Sequence, residues 1–357
     1  MKLERIIGLI PHKSSDPLLT CLLVEAKNGE VRVRGGNGEM EASAPVGREV
    51  LEVEGEGTLL LPRPLAEYLP RARRVVLEGS GVVLELQGGG VIRGQTVAPE
   101  GYPEPLWQGE AEVEAALPEP FVRALGGLAR FTAREDFRAI FRGVQLELKG
   151  RGVRAVASDG YRLGLVEAPL EGLEVDPPVH QVLPRWSLEG AIRLLSGPVR
   201  LSVGRGRARL AGEGLEVALT AMEGEYPNYE RVIPKEPAFR VRVVRESALA
   251  VLDEALDMSD PQNRRVDLAY DGQGWALEAE GPYGRGRWPF PARLEEGGLE
   301  AGTWVFNGRH LRETLAWLEV PEIEGWLSVP GPSPAPTLWR GEWQGLRGLV
   351  VLAPLRV

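Results

Sequence analysis

The sequence of 357 residues contains a single cysteine, Cys21, and only three histidines, His12, His180 and His310. One cysteine excludes an intramolecular disulfide and any multi-cysteine metal site; its place in an apolar stretch marks it as a small core residue. The histidines stand far apart with no Cys or Glu at metal-ligand spacing, so no metal site is expected. No apolar run approaches the roughly 18 residues that span a bilayer, and the N-terminus lacks the basic, apolar and small-residue order of a signal peptide. A cytoplasmic protein is expected. Lysine is scarce too, five residues against 37 arginines. The net charge of -9 excludes a surface basic all over but leaves room for one basic face.

Catalytic signatures are equally thin. Ser158-Asp159 has no histidine near it and reads as a turn, since sequence neighbours rarely form a triad. Gly204-Arg205-Gly206 and Gly212-Glu213-Gly214 lack the strand-to-helix setting and third glycine of a dinucleotide site, and read as hairpin turns. The expectation is a non-catalytic protein without cofactor. At 43% hydrophobic and 26% charged residues, the chain has the make-up of a soluble globular protein long enough for two or three domains.

What the sequence does contain is repetition. Leu61-Pro62-Arg63 and Leu183-Pro184-Arg185 each open a helical pattern 122 residues apart, and Val305-Phe306-Asn307 follows after another 122. Turns recur in the same register: Gly36-Asn37-Gly38, Ser158-Asp159-Gly160 and Gly281-Pro282-Tyr283. Glu100-Gly101-Tyr102-Pro103 is echoed by Glu223-Gly224-Glu225-Tyr226-Pro227. Three features in step indicate a triplicated module. Each module reads as short strands interrupted by two helices, an α+β unit with antiparallel sheet predominating. The expected domains are 1–109, 110–234 and 235–357. Apolar stripes at Phe121, Leu125 and Leu128, at Leu188, Ala191, Ile192 and Leu195, and at Leu311, Leu315 and Leu318 each predict a helix with one buried side. In the first module the register puts an opening strand and most of a helix before Met1, so an exposed sheet edge is expected there.

Phe141-Arg142-Gly143-Val144, Val156 to Leu163, Glu225 to Pro234 and Ala353-Pro354-Leu355-Arg356-Val357 resemble the bacterial DNA polymerase III beta subunit, the DNA sliding clamp family, over essentially the whole chain after the missing start. The resemblance implies three clamp domains per protomer, two protomers head to tail, outer sheets and inner helices. It implies a homodimer that encircles double-stranded DNA without reading sequence, acts as a processivity factor in DNA replication, and binds the DNA polymerase III alpha subunit, the clamp loader and other clamp-motif proteins. The competing expectation is a clamp-like paralogue that forms no stable ring and regulates or competes for the same partners.

A ring that slides needs few, sequence-independent phosphate contacts. The residues expected to face DNA are Lys13, Arg63, Arg123, Arg130, Arg134, Arg138, Arg185, Arg193, Arg264, Arg265, Arg309 and Arg312. Arg123, Arg130 and Arg134 are expected on one helix face, and Arg71, Arg73 and Arg74 cluster with Arg63 around a helix. The helix from about Glu246 to Met258 breaks the pattern with Asp253, Glu254 and Asp257. Carried over from the family by position, a partner-peptide pocket comprises Phe141, Ser158, Gly160, Tyr161, Arg162, Leu163, Pro227, Arg231, Val232, Val351, Leu352, Pro354, Leu355 and Arg356. Aliphatic walls of this kind bury a leucine or phenylalanine anchor, typically at micromolar strength, about 7 to 8 kcal/mol. Tyr161 stands where the family commonly has histidine, and Ala353 where a larger methionine is usual.

Overall fold

Alternating apolar runs separated by Gly, Asn and Asp turns dictate antiparallel hairpins. The computed structural model, which describes residues 2–47, 51–134 and 138–356, is built largely from them. One order, a strand, a helix and then three strands, occurs five times among the described residues, after a first pass that shows only the helix and three strands. The first pass has no strand ahead of its helix and comprises α1 (Lys2–Leu9), β1 (Cys21–Lys27), β2 (Glu30–Gly36) and β3 (Met40–Val46), followed by a short β4 (Glu52–Glu54). The second comprises β5 (Gly57–Pro62), α2 (Arg63–Ala66), β6 (Ala72–Glu78), β7 (Gly81–Leu86) and β8 (Val91–Gln95). The third has β9 (Val113–Leu117), α3 (Glu119–Leu128), β10 (Gly143–Gly150), β11 (Gly152–Ser158) and β12 (Arg162–Pro169). In the fourth stand β13 (Val175–Pro184), α4 (Arg185–Leu194), β14 (Val199–Gly204), β15 (Arg207–Gly212) and β16 (Leu215–Thr220). The fifth has β17 (Phe239–Val244), α5 (Arg245–Met258), β18 (Arg265–Tyr270), β19 (Trp275–Gly281) and β20 (Gly284–Pro289), with β21 (Ala292–Glu296) after it. The sixth closes with β22 (Gly302–Asn307), α6 (Gly308–Trp317), β23 (Glu322–Leu327), β24 (Thr337–Trp343) and β25 (Leu346–Leu352).

The chain divides into two compact units, Met1–Glu119 with Leu183–Glu223, and Pro120–Val182 with Gly224–Val357. The first holds an eight-stranded sheet, β5-β1-β2-β3-β16-β15-β14-β9, and a four-stranded one, β4-β6-β7-β8. The second holds a nine-stranded sheet, β13-β10-β11-β12-β25-β24-β23-β17-β21, and a four-stranded one, β20-β19-β18-β22. The boundaries that the repeat predicts near Gly109 and Pro234 are not where these two units divide; the eight-stranded sheet continues across the first and the nine-stranded sheet across the second. β3 pairs with β16 and β12 with β25, each antiparallel.

Helices cover one face of each unit's sheets. In α1 the residues Leu3, Ile6 and Ile7 are buried, the i, i+3, i+4 stripe of an amphipathic helix. It lies so close to β2 that a side chain at Gly35 would strike Ile10 and Ile6. In α3 Phe121, Ala124, Leu125 and Leu128 are buried, and in α6 Leu311, Leu315 and the adjoining Leu318. Each such leucine contributes about 1.5 to 3 kcal/mol. No helix among the described residues is long and apolar enough to cross a membrane.

Four local expectations change. α2 is a single turn, because Pro70 has no N–H with which to continue a helix. Arg73 and Arg74 consequently lie on β6, where Arg73 pairs with Glu85 at 3.2 Å and Arg74 pairs with Glu54. α3 ends at Leu128 and Arg130 sits in a 3-10 turn, so Arg123, Arg130 and Arg134 do not share one helical face. In α4 it is Leu194, not Leu195, that is buried with Leu188 and Ala191. Finally, the edge of β6 is not bare: β4 pairs with it in parallel, Glu52 opposite Arg74 and Glu54 opposite Val76, where the other passes put their opening strand.

Candidate functional site

All fourteen residues expected in the partner-peptide pocket belong to the second unit. β12 and β25 bring the central ones together, with Arg162 opposite Leu352 and Leu163 opposite Val351. Neighbours along a strand point to opposite faces, so the fourteen are divided between the two faces of this pair. On one face, Leu163 and Val351 join a buried cluster with Val156, Leu165, Tyr229 and Leu338, edged by Tyr226, Ile233, Trp326 and Leu349. Pro227 is half-buried and the 3-10 turn Tyr229–Val232 leaves Arg231 and Val232 exposed, Val232 to 51%. Asn228 caps that turn, its Oδ1 accepting the Glu230 N–H at 3.2 Å. Phe141 stacks edge-on against Tyr226 with ring centres 5.6 Å apart. A groove of about 1060 Å³ adjoins the cluster, lined by Leu165, Tyr229, Ile233 and Leu349 among charged side chains. None of the fourteen lines it.

On the other face the chemistry is ionic. Arg162 is buried, with its Nε 3.0 Å from Asp159, a guanidinium nitrogen 2.6 Å from Glu313 of α6, and another donating to the Arg130 carbonyl at 3.0 Å. Its guanidinium also lies 4.7 Å from the Phe131 ring centre. This arginine therefore ties β12 to α6 and is committed within the fold. The turn before it builds itself: Asp159 Oδ1 accepts the Tyr161 and Arg162 N–H groups at 3.0 and 2.9 Å, and Ser158 Oγ donates to the Arg162 carbonyl at 2.8 Å. Gly160, at φ +87°, takes the left-handed position that its type allows. Tyr161 is 68% exposed, its ring 6.3 Å from that of His310. Burial and the nearby Arg162 charge hold the His310 imidazole below its ordinary pKa, against the opposing pull of Asp159 and Glu313.

The C-terminal residues run on from β25 and are pinned. The Ala353 N–H donates to the Tyr161 carbonyl at 3.0 Å and the Leu355 N–H to the Val305 carbonyl at 2.7 Å. Leu355 lines a depression of about 380 Å³ with Val305, Pro330 and Pro334; Pro354 is half-buried and Arg356 exposed.

Sequence reasoning passed over Tyr229 as a polar anchor. Its hydroxyl accepts from Arg154 at 2.9 Å and donates to Glu147 at 3.2 Å, and burial raises its pKa to about 12. Leu165 was legible from alternation with Leu163. Trp326 and Leu338 carried no signal, because β23 and β24 join the cluster only through sheet order.

The expected DNA-facing cations fall into two kinds. In the first unit Arg63 pairs with Glu67 at 3.0 Å and Arg185 with Glu189 at 3.1 Å, whereas exposed Lys13 and Arg193 have no carboxylate partner among the described residues. In the second unit Arg312 pairs with Asp253 of α5, Arg265 with Asp267 at 2.8 Å, and Arg123 approaches Glu319 at 3.7 Å. Arg264, at φ +52°, donates to the Leu256 carbonyl at 3.0 Å. Arg130, Arg134, Arg138 and Arg309 are exposed, Arg138 lying 5.9 Å from the Phe141 ring centre. The acidic helix α5 is partly neutralised by this arrangement, while Glu254 and Asp257 remain exposed.

Comparison with known proteins gives one consistent relationship. A family model, the central domain of the DNA polymerase III beta subunit, matches residues 119–228. The beta sliding clamp of Synechococcus elongatus is 25% identical over 337 residues, covering 90% of this chain and 88% of the relative. That of Salmonella typhimurium is 27% identical over 293 residues, 78% of each. Among solved structures, the DNA polymerase III subunit beta of Pseudomonas aeruginosa superposes with a TM-score of 0.88 at 18% identity, covering 100% of this chain and 96% of that one. The Thermotoga maritima beta subunit gives 0.82 at 22% identity, covering 100% and 97%.

Proposed function

We propose, from the premise that the chain belongs to the bacterial DNA polymerase III beta subunit family of sliding clamps, that two copies close into a ring around duplex DNA and act as a cytoplasmic processivity factor. A sliding clamp is a non-catalytic tether, so its work lies in topology and partner capture.

One observation carries ring closure. The last strand of a pass pairs with the last strand of another pass at two places within the chain, β3 with β16 and β12 with β25. The equivalent strands of the remaining two passes, β8 and β20, are both sheet edges. An open ladder edge invites another strand. β8 of one protomer pairing with β20 of its partner, twice, uses both edges and completes a closed homodimer. Hydrogen bonds from Leu86 N–H to the Gly90 carbonyl and from Thr96 N–H to the Ser80 carbonyl set the phase of the β7·β8 ladder. In that phase the Val91, Arg93 and Gln95 N–H groups point to the open edge. By the same reasoning the bond from Phe290 N–H to the Trp275 carbonyl turns the Arg285 and Arg287 N–H groups outward on β20. Pro289 then occupies an outward position, where its lack of a donor breaks no bond within the chain.

The 122-residue repetition also supports three modules, 1–109, 110–234 and 235–357, each contributing two passes. Partner capture falls to the Leu163–Val351 cluster with exposed Val232 and Tyr161 at its margin, a surface suited to an apolar peptide anchor from a polymerase or loader subunit. Weakly paired and unpaired cations then supply sequence-independent attraction to phosphate. Light scattering should give a dimer, and protein loaded onto nicked circular DNA should stay bound until the circle is linearised. A monomer that binds clamp-motif peptides but is never retained on circles would overturn ring closure and favour a competitor of true clamps.

A further inference from the structure

At each junction within the chain, one hairpin tip reaches across to a helix of another pass. The tip between β2 and β3 does so through Met40, which is buried and lies against Gly190 of α4, while the Glu39 carbonyl accepts the Thr220 N–H at 3.0 Å. The tip between β11 and β12 repeats the arrangement 122 residues later. Arg162 is buried against Glu313 of α6, and the Tyr161 carbonyl accepts the Ala353 N–H at 3.0 Å with its ring beside His310. A further 122 residues on, the tip between β19 and β20 carries Tyr283 and Gly284 at these positions. Here Tyr283 is 98% exposed. Glycine at 284 has no side chain to seat on a helix, so only Tyr283 can make the contact that Met40 and Arg162 make elsewhere.

We propose that Tyr283 is the anchor of the contact between protomers, its ring seated on the α2 turn of a second copy of this chain, against Leu65. This rests on the ring reading above and adds to it the residue that holds the ring shut. α2 is the counterpart of α4 and α6, and it stands beside β8: a side chain at Gly94 of β8 would strike Leu65. The hairpin tip and the edge strand that continues from it would then meet the helix and the edge strand beneath it, which reproduces both internal junctions. An aromatic ring loses little conformational freedom when it is fixed, which suits it to anchor a contact between protomers.

The test uses the full chain in sedimentation equilibrium across a range of concentrations. Tyr283→Ala should raise the dimer dissociation constant about tenfold or more, with Tyr283→Phe close to the parent. Because the side chain is exposed, both variants should melt as the parent monomer does. In parallel, a chain carrying Tyr283→Cys and Glu67→Cys, treated with a short bismaleimide, should give covalent dimers that neither single variant gives; Cys21 is buried. A parent that dimerises while Tyr283→Ala dimerises equally well, or while the double-cysteine chain fails to cross-link, would overturn the anchor and leave the ring standing. A parent that is monomeric at every concentration would overturn the ring itself.

Discussion

Arg162, expected at the partner-peptide pocket, is also tied into the fold at several points. With Asp159, Glu313, the Arg130 carbonyl and the Phe131 ring around it, its charge is spent on joining β12 to α6. Removing it leaves Asp159 without its cation and Glu313, one-third exposed, partly so. Arg162→Ala should therefore lower unfolding stability by about 2 to 4 kcal/mol, read from the denaturant midpoint. Arg162→Lys should recover only part, since an ammonium cannot span two carboxylates and a carbonyl. His310 lies in the same nest and its pKa is depressed, first by burial and then by Arg162. The unfolded chain takes up that proton near an ordinary value of about 6.5, before the folded chain does. Stability is thus fully present above that value and is lost as pH falls from it through the folded pKa. Carboxylates held below their ordinary range, such as Asp253 and Glu278 through their arginine partners, lose their contribution only at more acidic pH. Between roughly pH 5.5 and 7.5, thermal midpoints should fall with acidification in the parent and be flatter in His310→Gln. Parallel curves would refute this assignment.

At the scale of elements, α5 and α6 form one antiparallel piece whose charges are interlocked. Arg245 at the start of α5 donates to the Leu315 and Ala316 carbonyls at 3.1 and 2.7 Å, satisfying the C-terminal end of α6. Arg312 of α6 is held by Asp253 of α5, which lowers the acid's pKa and removes the arginine from use elsewhere. If these helices face DNA, Asp253→Asn removes a repulsive charge and frees a cation together. Binding to a DNA duplex should strengthen, and the slope of log K against log salt should steepen by about one, as measured by fluorescence anisotropy at several salt concentrations. An unchanged slope would mean that this pair looks away from the duplex. Gly127 of α3 supplies another constraint of this kind: a side chain there would strike Trp317, whose Nε1 donates to the Ala124 carbonyl at 2.9 Å.

For the whole molecule, stability and assembly should be one quantity. A closed dimer with two β8·β20 junctions gains stability by mass action, so its thermal midpoint should rise with protein concentration. Arg93→Pro removes an N–H that faces the open edge and breaks no bond in the β7·β8 ladder. It should yield a folded monomer whose midpoint no longer depends on concentration, with binding of clamp-motif peptides preserved. Failure of the variant to fold would instead mean that the ladder phase has been misassigned; circular dichroism reports this directly.

The 122-residue register, the hairpin turns and the helix stripes were legible without coordinates, because they are local: a turn needs its Gly or Asp, and a helix needs its apolar spacing, whatever lies around them. The repeat even placed Tyr161 and Tyr283 in equivalent positions. Family motifs drew attention to β12 and the C-terminal strand. Only the tertiary structure decided which side of that strand pair each residue serves, since strand register is set by pairing with a segment almost 190 residues away. It also decided which arginines have a carboxylate beside them, Arg312 with Asp253, Arg185 with Glu189 and Arg63 with Glu67, where helical spacing alone presents these cations as free. The same holds for the edge of β6, which β4 covers through a parallel pairing that no local pattern announces.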